Sequence, residues 1–125
     1  MVLTNDKIGK RGEEAACRWL RKKDYKLVET NYENLPYGEI DIIARNGDYL
    51  VFVEVKTSQG TQTPFQPEKR IGFEKKRRLK NICQIYLSQN NIPLDSNWQI
   101  DVIAVALLGN KSAKIKHYKN AIRSR

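Results

Sequence analysis

The chain has 125 residues, of which 40% are apolar and 30% charged. That balance fits a single compact domain over residues 1–125, and is neither that of a disordered chain nor that of a membrane-embedded one. The 23 Lys and Arg against 14 Asp and Glu leave a net charge of +9, so the expected partner is a polyanion, nucleic acid ahead of a membrane surface.

The opening stretch from Met1 to Glu14 has no apolar run, so it does not read as a secretory signal. No segment approaches the ~20 apolar residues of a membrane span. A cytoplasmic, reducing location follows, with Cys17 and Cys83 serving as small core hydrophobes. Two cysteines and the lone His117 do not make a four-ligand zinc site.

Residues 6–23 are predicted to be a helix, with Gly12, Glu13, Ala16, Trp19 and Leu20 on one side. Trp19, like Trp98 later in the chain, is expected in the core. Tyr25–Thr30 is short, β-branched and aromatic, which suits an edge strand. Asn34 to Gly38 reads as a turn. Glu39–Arg45 and Tyr49–Thr57 are strands rich in Ile and Val, joined by the hairpin signal Asn46-Gly47-Asp48. The second is apolar on both faces near its start, as a central strand would be. Residues 58–67 form a loop, and a helix then runs to about Gln89, with Leu79, Ile82, Cys83 and Tyr86 at helical spacing. Asn90 to Pro93 ends it. Trp98–Leu108 is a long buried strand. Gly109-Asn110 turns the chain into Lys114–Tyr118, an edge strand, and Asn120–Arg125 is expected to fray. The order is α-β-β-β-α-β-β, an α/β fold with a central mixed sheet flanked by helices.

Three charges are out of pattern. Asp41 interrupts Gly38-Glu39-Ile40-Asp41-Ile42-Ile43-Ala44, and Glu54 and Lys56 interrupt Val51-Phe52-Val53-Glu54-Val55-Lys56. Charges rarely enter such strands unless they are paired or bind a metal. Alternation puts Glu54 and Lys56 on one face, and Glu39, Asp41 and Ile43 on one face of the preceding strand. An even-length turn brings Asp41 opposite or diagonal to Glu54. Two adjacent carboxylates suit Mg²⁺ or Mn²⁺ with several retained waters, and a nearby ammonium can orient an attacking water. The simpler explanation is a structural ion pair of Lys56 with either acid. It does not explain three charges converging from two apolar strands.

Glu13 lies on the helix face of Ala16, Cys17 and Leu20, so it is the more buried of two neighbouring acids and a candidate third acidic ligand or supporting group. Glu14 points the other way, four residues before Arg18, as a solvent-facing pair would. A half-buried Glu13 bonded to an amide or Lys fits equally. Glu39, near the strand start, is assigned an auxiliary role at best.

Lys69, Arg70, Lys75, Lys76, Arg77, Arg78 and Lys80 crowd the start of the second helix. Lys75 and Lys76 continue the Leu79–Ile82–Cys83 line and lean toward the body, while Arg77 and Arg78 face out. Such density suggests a phosphate-backbone track, against the blander alternative of a solvated face. Lys22 and Lys23 extend it or are plain surface. Tyr37 and Phe65 lie on loops and could stack on bases, though an anchoring role at the core rim is favoured.

These stretches resemble those of a bacterial family. Gly9-Lys10-Arg11-Gly12-Glu13-Glu14-Ala15-Ala16 resembles its G-x-x-G/A-E-x-x-A opening, and Asn31-Tyr32 its Asn-Trp/Tyr pair. The Asp41 and Glu54–Lys56 stretches resemble its two most specific motifs. The chain is thus similar to the YraN family of uncharacterised proteins, from Gly9 to about Val105. The resemblance implies a restriction-endonuclease-like, PD-(D/E)xK fold similar to archaeal Holliday-junction resolvases. It implies that Asp41 and Glu54 bind Mg²⁺ (or Mn²⁺), that the Val55 carbonyl completes the metal shell, that Lys56 assists the water, and that Glu13 matches the resolvase helix acid. Ser58 departs from the pattern, standing where relatives often carry a basic residue. The expected activity is metal-dependent hydrolysis of DNA phosphodiesters, including branched or repair intermediates. DNA is a better expectation than RNA, and cutting two strands leaves a homodimer open. The alternative is a DNA- or RNA-binding module with an inactive site.

Overall fold

A computed structural model describes residues 3–59, 71–109 and 112–123. Helix α1 spans Asn5–Lys22, and strands β1, β2 and β3 span Lys26–Asn34, Gly38–Asn46 and Tyr49–Gln59. Helix α2 spans Phe73–Gln89, followed by β4 at Trp98–Leu107 and β5 at Ala113–Ile122. The expected order α-β-β-β-α-β-β is the observed one.

Local chemistry sets the ends of α1. The Thr4 hydroxyl accepts from the Lys7 N–H at 3.3 Å, with Asp6 in the first turn and Arg21 and Lys22 in the last. The sheet has five strands in the order β1-β2-β3-β4-β5. β2 and β3 form a hairpin in which Asn46 pairs with Tyr49 across a Gly47-Asp48 turn, where Gly47 supplies a φ of 61°. β3 and β4 are parallel and therefore need a crossover. Helix α2 lies on that crossover.

Each face of the sheet buries a different helix. Val51, Val53, Ile42, Ala44, Ile103 and Val105 pack under Ala15, Ala16 and Leu20 of α1. On the other face Leu50, Phe52, Ile100 and Val102 pack under Leu79, Ile82, Cys83, Tyr86 and Leu87 of α2. The Phe52 ring meets Tyr86 and Trp98 edge-on, at 5.6 and 5.8 Å between centroids. The central strand is apolar on both sides because both sides are covered.

The edge strands are longer than the sequence suggests. β1 continues to Asn34 because Tyr32 turns into the α2-side core. β5 continues to Ile122, which is buried opposite Ile100, so Asn120 to Ile122 do not fray. Trp19 and Trp98 are half-buried rather than core, each directing its indole N–H to a partner: His117 Nδ1 for Trp19 and the Leu94 carbonyl for Trp98.

A buried polar network joins β4, β5 and α1. Asp101 is fully buried and accepts from the Gln99 side chain and the Asn120 N–H, both at 2.8 Å. His117 Nε2 lies 2.7 Å from its other oxygen. Because His117 Nδ1 accepts from Trp19, Nε2 carries the ring proton and donates to Asp101. No helix among the described residues is long and apolar enough to cross a membrane.

Candidate active site

The β2–β3 ladder pairs residues as far as Ile42 and Val53. Beyond that rung the Val55 N–H donates to Asp41 Oδ2 at 2.8 Å. A side-chain carboxylate thus takes the place of a main-chain acceptor. Alternation in β2 also breaks here: Ile40 and Ile43 belong to the α2-side core, whereas Ile42 and Ala44 belong to the α1-side core. Strict alternation, from which Asp41 was expected to share a face with Glu39 and Ile43, does not hold through this stretch. The even turn and the parting of the strands nevertheless bring Asp41 to Glu54, and their side chains share a hydrogen bond.

Glu54 is only 6% exposed. Its Oε2 lies 3.2 Å from Lys75 Nζ and 3.5 Å from Lys56 Nζ. Two ammonium groups therefore face one carboxylate. Burial, and then the Glu54 charge, raise the Asp41 carboxyl from 3.8 to about 7, against the opposing pull of the Val55 N–H.

Glu13 approaches from the other helix. It is half-buried while Glu14 is exposed, as the helix geometry predicts. A hydrogen bond with the Asn31 side chain steadies Glu13. Burial raises its carboxyl most, and the charges of Glu39 and Glu54 add to this. The approach depends on Gly12. A Cβ there would stand 1.8 Å from Thr57 Oγ1, so only glycine lets α1 rest on the end of β3. Glu39 is exposed.

Among the described residues no group of three or more His, Cys, Asp or Glu is arranged to hold a metal. Asp41 and Glu54 are the two carboxylates that converge, with Val55 fixed beside them. Such a sparse, all-oxygen set does not suit zinc. It does suit a hydrated hard cation of the Mg²⁺ kind, whose charge would offset the repulsion between the two acids.

On α2, Lys75 and Lys76 are half-buried and Arg77 and Arg78 exposed, the split that helical geometry predicts. Lys80 is half-buried. Arg77 pairs with Glu74 at 2.9 Å. Lys69, Arg70 and Phe65 lie outside the described residues. Lys22 and Lys23 are exposed, and Lys23 sits over the Trp19 ring at 4.7 Å. Tyr37 is 51% exposed, so it does not anchor the core rim. Sequence periodicity captures the inward lean of Lys75 but not its pairing with Glu54, which is a tertiary contact between α2 and β3.

Fold and site together define an α/β protein with a mixed five-stranded sheet and an acid pair where its central hairpin parts. The model of "Uncharacterised protein family UPF0102" matches residues 12–105. The chain belongs to that family, in agreement with the YraN resemblance. A UPF0102 protein of Thermotoga petrophila is 46% identical over 83 residues, covering 66% of this chain and 73% of its own. The one from Alkaliphilus oremlandii is 40% identical over 118 residues, 94% of this chain and 98% of its own. That of Dictyoglomus thermophilum is 34% identical over 122 residues, 98% of this chain and 99% of its own.

Proposed function

We propose that the protein is a metal-dependent nuclease acting on DNA in the cytoplasm. The observation behind this reading is the convergence of Asp41, anchored on the Val55 N–H, with the buried Glu54 beside Lys56. Two acids and an ammonium are held together at the point where the sheet opens. A Mg²⁺ or Mn²⁺ ion bound by Asp41, Glu54 and the Val55 main chain would supply Lewis-acid stabilisation of charge on the scissile phosphate. Lys56 would hold the attacking water and neutralise the developing oxyanion. Glu13 would support the acidic cluster from α1. Lys75, Lys76, Arg77 and Arg78, with Lys69 and Arg70 before them, would grip the phosphate backbone.

The test uses purified protein with Mg²⁺ or Mn²⁺ on duplex, single-stranded, flap and four-way DNA, with RNA as competitor. Cleavage of at least one DNA form is expected. Glu54→Ala or Lys56→Ala should lower it by at least ~10²-fold with an unchanged circular dichroism spectrum. Absence of cleavage across the panel would sink the proposal.

One observation favours a second reading, a DNA- or RNA-binding module. Lys56 and Lys75 already neutralise Glu54 without a metal. Calorimetry with Mn²⁺ separates the two readings: salt-sensitive DNA binding with no heat of metal binding would establish the module.

A further inference from the structure

Beside the acid pair, a pocket of about 250 Å³ opens between the β1–β2 turn and the first turns of α2. Its walls include Tyr37, Glu39, Lys75, Arg78, Leu79 and Ile82. Leu79 and Ile82 are 5% and 1% exposed, and give it an apolar floor. Tyr37 stands at the rim with half its surface in solvent. Lys75 and Arg78 are one turn apart on α2. Lys75 also touches Glu54 at 3.2 Å, so the pocket and the acid pair share a wall.

This combination selects a ligand. An aromatic rim over an apolar floor takes a flat ring, and two cations at the edge take an anion attached to it. Glu39 adds an acceptor for ring amines. The volume lies just below the ~300–1,000 Å³ of pockets for larger ligands, which suits one ring system. A base stacked in duplex cannot enter without leaving its partner, whereas an unpaired base presents a free face at little cost.

We propose that this pocket binds one unpaired DNA base, stacked on Tyr37, with its phosphate on Lys75 and Arg78. The next phosphodiester then lies at Asp41 and Glu54, and the substrate class becomes DNA with a single-stranded segment. Only this last step rests on the nuclease reading; the base subsite itself does not.

A single-stranded DNA pentamer with a central 2-aminopurine tests it, with Ca²⁺ present. Fluorescence reads stacking, and anisotropy of an end-labelled copy reads affinity. Quenching is expected with wild type and Tyr37→Phe. Tyr37→Ala should lose the quenching together with about tenfold or more of the affinity, while binding of a blunt duplex is unchanged. Arg78→Ala should weaken binding but retain the quenching of whatever is bound. Wild-type binding without quenching, or equal losses on pentamer and duplex in Tyr37→Ala, overturns the subsite. Quenching that survives alongside absent cleavage across the duplex, single-stranded, flap and four-way panel in Mg²⁺ removes the nuclease reading and leaves the subsite standing.

Discussion

Burial and the Glu54 charge both penalise the Asp41 anion, which moves its carboxyl from 3.8 to about 7. The folded state therefore holds a proton that the unfolded chain releases earlier. Below the unfolded value both states are protonated, and the contribution to stability is complete. It declines as pH rises from about 4 and is gone above about 7. Glu13 shifts in the same direction. Metal-free protein should accordingly show a lower urea midpoint at neutral pH than near the unfolded carboxylate range. Asp41→Asn should flatten that slope, and an unchanged slope in the variant would contradict the assignment. At this scale the acid pair was legible because a charge inside an apolar strand needs a partner. The same rule marks Asp101 between Ile100 and Val102. Its partners His117 and Asn120 come from β5, and nothing local in the sequence announces them.

At the level of elements, α1 and the β2–β3 hairpin were readable, since helical periodicity and turn chemistry are local signals. The edge strands were readable in place but not in length. Their outer faces meet solvent, so polar residues such as Glu33 and Lys119 sit within the strands and hide their far ends. Bulges at Leu27/Glu29 and Ile100/Val102 further blur the alternation. The tightest approach of α1 to β3 is Gly12 on Thr57. Gly12→Ala should cost about 1–3 kcal/mol in urea unfolding, because the added methyl would overlap the Thr57 side chain down to its Cβ. Under the proposed nuclease reading it should also weaken Mn²⁺ binding in calorimetry, since Glu13 is the next residue on the displaced helix. A neutral effect on both would show that the helix shifts freely.

For the molecule as a whole, the net charge of +9 predicts salt-dependent affinity for nucleic acid, with log K falling linearly against log salt. Lys76→Ala should reduce the slope by about 1 and weaken binding equally across sequences and structures, as measured by anisotropy titration at several salt concentrations. A slope unchanged from wild type would remove Lys76 from the contact surface. The mixed sheet was foreseeable from the short β2–β3 turn and the helical crossover before β4. The meeting of Lys75 with Glu54 was not, because it depends on how α2 settles over the parallel pair.

The carboxylate that stands in for a rung of the β2–β3 ladder ties chemistry to architecture. Past Ile42 the two strands cannot zip together without expelling the Asp41 side chain from between them. Removing that side chain altogether leaves the Val55 amide hydrogen without an acceptor, so an alanine here disturbs the sheet as well as any reaction. An asparagine keeps an oxygen at the same spot, and is the substitution that separates loss of charge from loss of shape.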